Sequence, residues 1–76
     1  MDIVIGTPLV PPAELGFSDP IVTTERFLPK LLVNLGIFKS TSEVRRNKPE
    51  LWATLDKPDI LELKIGKRKL WILVGD

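Results

Sequence analysis

Two residue types are missing altogether: the 76-residue chain contains no cysteine and no histidine. Without cysteine, no disulfide framework and no thiolate zinc site can stabilise a small fold, and a reducing, cytoplasmic setting fits. Without histidine, the chain lacks the commonest general base and the commonest transition-metal ligand. No apolar run approaches the roughly 20 residues of a membrane-spanning helix. No basic stretch precedes an apolar run at the N-terminus, so no signal peptide is read there. Serines, lysines and carboxylates are present, but no serine or lysine has an evident base and no metal-ligand spacing occurs. The sequence therefore predicts neither an enzyme nor a cofactor or metal site, and no membrane partner.

Seventy-six residues supply one small domain with a limited core. Burial against a second copy is one way for such a chain to enlarge that core, and the sequence leaves the oligomeric state open. The apolar share of 43% argues against wholesale disorder. Net charge is only +1, which taken alone disfavours a nucleic-acid ligand. Its distribution points the other way. Residues 1–25 hold four acidic residues and no basic one, whereas residues 26–76 hold all 11 basic residues against six acidic ones, a net of +5. Such asymmetry suggests a basic working surface.

Pro8, Pro11, Pro12 and Pro20, with Gly16, preclude a continuous helix or a central strand over that stretch, so residues 1–25 read as an extended, proline-rich arm. Residues 1–6 could form a short strand within it. Phe27, Leu28, Leu31, Leu32 and Leu35 then recur at helical spacing. Thr23 or Thr24 is available as a cap, and Pro29 is tolerated only in a first turn, which predicts a short helix over about 28–35. Gly36 suits a left-handed residue ending that helix. Ser40 stands three residues before Glu43, the capping-box spacing, and opens a second helix that Pro49 cuts short near Arg46 or Asn47. Val44 is its clearest buried candidate. Alternation predicts strands over 51–55, 61–65 and 70–74, with Asp56–Asp59 as a turn and Gly66-Lys67-Arg68 as a hairpin loop.

Lys39, Arg45 and Arg46 lie around the start and first turns of the second helix, where free N–H groups and cations favour an anion such as phosphate. Ser40 and Ser42 could add hydrogen bonds, and Lys48 extends the group. Lys67, Arg68 and Lys69 form a second basic cluster at the hairpin tip, which folding is expected to bring beside the first. Each cluster has a plainer reading: a solvated helix face capped by Ser40, and a charged turn that discourages edge pairing. Trp52 and Trp71 could stack on bases, but tryptophan in a small domain commonly packs in the core. At least one is expected there, with Trp71, opposite in facing to Leu70 and Ile72, the more exposed.

Leu31-Leu32-Val33-Asn34-Leu35-Gly36, followed by Lys39-Ser40-Thr41-Ser42-Glu43-Val44-Arg45-Arg46, resembles the S4-like RNA-binding domain. That αα–β module occurs in ribosomal protein S4, pseudouridine synthases and the C-terminal domain of bacterial tyrosyl-tRNA synthetases. Ile65-Gly66-Lys67-Arg68-Lys69-Leu70 looks like the glycine-led basic segment that ends the synthetase version. The resemblance covers residues 26–74 and departs at Asn47–Trp52, where the family's asparagine-glycine strand end is missing. It implies RNA binding through the second helix and the hairpin, by Lys39, Ser40, Ser42, Arg45, Arg46, Lys48, Lys67, Arg68 and Lys69.

The expected architecture is α+β: two short helices packed on a small antiparallel sheet over residues 26–76, preceded by the arm of residues 1–25. The expected function is non-catalytic binding of structured RNA such as tRNA or rRNA, with DNA as a competing ligand. The alternative is a protein-interaction or accessory module, phage-derived in character, that recruits a protein partner through residues 1–22 or an exposed strand edge such as Ile3–Ile5.

Overall fold

Ile3, Val4 and Ile5 form an uninterrupted apolar run that is buried on both sides, as the central strand of a parallel arrangement requires. The computed structural model describes residues 1–76 and contains four strands and two α-helices. The strands are β1 (Asp2–Ile5), β2 (Ile21–Thr23), β3 (Asp59–Ile65) and β4 (Arg68–Val74). The helices are α1 (Leu28–Asn34) and α2 (Thr41–Asn47). Single 3-10 turns occupy Pro12–Leu15 and Pro49–Leu51. None of the helices is long and apolar enough to cross a membrane. The chain divides into two units, Met1–Thr24 with Asp56–Asp76, and Glu25–Leu55.

The first unit is the sheet, in the order β2-β1-β4-β3. β1 runs parallel to both β2 and β4, and only β3 and β4 are antiparallel. The small antiparallel sheet expected from the sequence is therefore replaced by a mixed, mostly parallel one. Alternation fixes which face a side chain takes but says nothing about the direction of its neighbour. The register puts Ile3, Ile5, Leu70, Ile72 and Val74 on one face, all essentially inaccessible. Each such burial contributes about 1.5–3 kcal/mol. Val4 and Leu73 are buried on the opposite face.

Parallel neighbours need a long crossover connection. Here the proline-rich segment between β1 and β2 supplies it. Its Leu9 and Val10 line a groove with Ile60 and Leu73, and its Leu15 and Phe17 line another with Asp2 and Trp71. Asp2 accepts a hydrogen bond from the Ser18 N–H at 3.0 Å. Asp19 then takes a left-handed conformation, φ 45°, which aspartate tolerates better than most residues, and turns the chain into β2. The first 25 residues thus contribute two strands to the sheet. β1 is paired on both sides, so the exposed Ile3–Ile5 edge expected from the sequence does not exist. The sheet's outer strands are β2 and β3.

Gly66 and Lys67 alone connect β3 to β4, because Ile65 still pairs with Arg68. Gly66 has φ 60° and Lys67 does not share the positive φ, the signature of a type II′ hairpin.

The second unit holds both helices. α1 starts at Leu28 with Pro29 in its first turn, where the missing N–H has no intrahelical partner to lose. Neither threonine caps it: Phe27 is the N-cap, and the Glu25 carboxylate accepts from the Phe27 N–H at 3.2 Å. At the other end the Ile37 N–H donates to the Leu32 carbonyl and the Gly36 N–H to Val33, with Gly36 at φ 77°. These are the two bonds of a Schellman motif. The predicted strand over 51–55 does not form. Pro49 instead starts a tight turn, and only Thr54 makes a β-bridge, to Phe27.

Candidate nucleic-acid interface

Ser40 ends the link between the helices in an extended conformation, and its Oγ accepts from the Glu43 N–H at 3.3 Å. The return bond, in which the Ser40 N–H would donate to the Glu43 carboxylate, is not made, so half of the predicted capping box is present. Val44 is the one buried residue of α2. Ser42, Arg45, Arg46 and Asn47 are exposed, as are Lys39 and Ser40 just before the helix, and Lys48 at its end is half-buried. No carboxylate lies within ion-pairing distance of Lys39, Arg45, Arg46 or Lys48. At seven residues, α2 is too short for a helix dipole of consequence. Attraction for an anion must come from the side chains.

Trp52 follows the Pro49–Leu51 turn and is 42% exposed. Its ring meets Phe27 edge-on, with centroids 5.1 Å apart and planes at 89°. The Arg45 guanidinium carbon stands 5.7 Å from the Trp52 centroid, within cation–π range. The backbone that follows this ring is held at two points. The Leu28 N–H donates to the Ala53 carbonyl at 2.9 Å and the Leu55 N–H to the Arg26 carbonyl at 2.7 Å. An Arg26 guanidinium N–H also donates to the Leu55 carbonyl, at 3.1 Å. Sequence reasoning missed this cluster, because the alternation of residues 51–55 reads as a strand. Pro49 beside the helix end was the available signal for a turn.

Lys67, Arg68 and Lys69 belong to the first unit, and the strand geometry separates them. Lys69 and Lys64 sit directly opposite each other on one face, while Arg68 pairs with Ile65 on the other. The Lys69 ammonium lies 3.3 Å from the Glu62 carboxylate and 5.7 Å from the Trp71 centroid. Its charge is thus partly engaged within the protein. Trp71 is 38% exposed, so neither tryptophan belongs to the buried core, contrary to the expectation for at least one of them.

The two units differ in charge. Glu25–Leu55 holds six basic residues against three acidic ones, a net of +3. The sheet unit holds five basic against seven acidic, a net of −2. Nowhere do three carboxylates gather as a metal site would require. No family model matches this chain, no curated protein matches it, and no solved structure matches it.

Proposed function

We propose that the chain is a non-catalytic, cytoplasmic RNA-binding protein whose helical unit carries the contact surface. The observation that carries this reading is the set of four cations on and around α2, Lys39, Arg45, Arg46 and Lys48, left without carboxylate partners in a unit of net charge +3. Unpaired cations grouped on one short element raise the local concentration of a polyanion and release its counterions on contact. Ser40 and Ser42 are exposed beside them and can donate to phosphate oxygens. The Schellman glycine followed by a serine-capped helix with a basic pair supports an S4-like reading of this unit. Structured RNA is the preferred ligand, with duplex DNA as a competitor. The hairpin cations Lys67 and Arg68 would form a basic tip on the sheet unit.

Changing Arg45 and Arg46 together to alanine should weaken binding to a structured RNA across unrelated sequences. Binding equal to that of the parent at low salt would remove α2 from the interface.

A second reading draws on β2. This outer strand is only three residues long, yet Ile21 and Val22 are exposed, Val22 by 70%. An extended segment of a protein partner could add to that edge.

A further inference from the structure

In the helical unit, Leu28, Leu31, Leu32, Phe38 and Val44 are all buried. Trp52 is not among them. It is oriented all the same: Phe27 abuts it at right angles, Arg45 stands over it, and the adjoining backbone is fixed by hydrogen bonds to Arg26 and Leu28. A large ring that is held in place, partly open to solvent and bordered by cations without carboxylate partners has the three properties of a stacking platform. Orientation limits the entropy lost on binding. Exposure leaves aromatic surface to be covered, and the cations supply attraction for a charged backbone. A neutral base edge alone would not use the cations, and a bare phosphate would not use the ring. A nucleotide with its base out of the helix uses both.

We infer that Trp52 stacks against an unpaired nucleobase whose flanking phosphates contact Arg45 and its basic neighbours, so that the protein prefers bulged or looped RNA to continuous duplex. The inference rests on the RNA reading of α2 and deepens it. A bulged base is already unpaired, so little further unstacking opposes its capture. Continuous duplex offers no free base face and engages the cations alone.

The chain contains two tryptophans, so Trp71→Phe leaves Trp52 as the sole indole reporter. This variant is titrated at low salt with a perfectly paired RNA stem and with the same stem carrying one bulged adenosine. Bulged RNA should quench Trp52 emission and bind about tenfold more tightly, within the range known for base–aromatic stacking. Paired stem should bind without comparable quenching. Trp52→Leu should erase the tenfold preference while retaining affinity for the paired stem, and that retained affinity also verifies its fold. Trp52→Phe, which keeps a ring, should preserve part of the preference. Equal affinity and equal quenching for the two RNAs, or a preference that survives in Trp52→Leu, overturns the inference and leaves the phosphate surface standing. Failure of both RNAs to bind overturns the surface and the inference together.

Discussion

Replacing Arg45 and Arg46 by alanine removes two of the four cations without carboxylate partners grouped on and around α2, and the consequence for salt dependence follows from counting charges. Each neutralised phosphate adds about 0.9 to the slope of log K against log salt on a duplex and about 0.7 on a single strand. Four contacts therefore give about −3.6 and about −2.8 respectively, and two give about −1.8 and about −1.4. Raising salt from about 50 to about 200 mM should weaken the parent about 150-fold on duplex or about 50-fold on single strand, but the variant only about 12-fold or about 7-fold. Both arginines are exposed and make no ion pair, and alanine is the better helix former, so α2 should survive the change. Circular dichroism checks that point, and fluorescence anisotropy at four salt concentrations gives the slope. A double variant whose slope stays near the parent's refutes the assignment of phosphate contacts to α2. Lys69→Ala provides the contrast: its ammonium is already ion-paired with Glu62, as no cation on or around α2 is with any carboxylate, so it should flatten the slope by less than one contact.

Three stability predictions test the fold that presents this surface. Gly75→Ala would drive a new methyl into the Thr7 carbonyl, with the Pro8 Cα only 2.8 Å away, and should cost about 1–3 kcal/mol. An unchanged thermal midpoint would show that the chain ends do not pack as described. Val44→Ala removes two methyl groups from the only buried residue of α2 and should cost about 2–3 kcal/mol by denaturant titration. A loss below about 0.5 kcal/mol would mean that α2 is not docked, since surface substitutions fall in that range. Ser40→Ala removes a single 3.3 Å capping bond and should cost only about 0.5–1 kcal/mol, with amide exchange at Glu43 accelerated; unchanged exchange there would argue against the cap.

Local signals in the sequence located the helices well because the residues that stop and start them act over a few positions. Gly36 and Ile37 close α1 by donating to the Val33 and Leu32 carbonyls, Ser40 opens α2, and Pro49 prevents its continuation. Gly66 likewise announced the hairpin, whose partners are adjacent in the chain. Parallel pairing was hidden. Asp2 lies opposite Trp71 and Ile3 opposite Ile21, and nothing in a local window specifies partners so distant. The prolines that seemed to make residues 7–20 an arm belong to a crossover, where a missing N–H costs little because the segment joins no ladder. For the candidate site, the basic residues were visible as a list, but their division between two units of opposite charge was not. The alternation at 51–55 misled for a related reason: without a neighbouring strand, period two is only a pattern, and Trp52 ends in a turn.

The place of β1 between β2 and β4 governs the order in which this molecule can be completed. Ile3, Val4 and Ile5 precede β4, the strand they pair with on one side, by almost the whole length of this sequence. Until β4 is made, that greasy tripeptide has at most the three-residue β2 beside it. Helices α1 and α2, whose contacts are close in sequence, depend on no partner so distant.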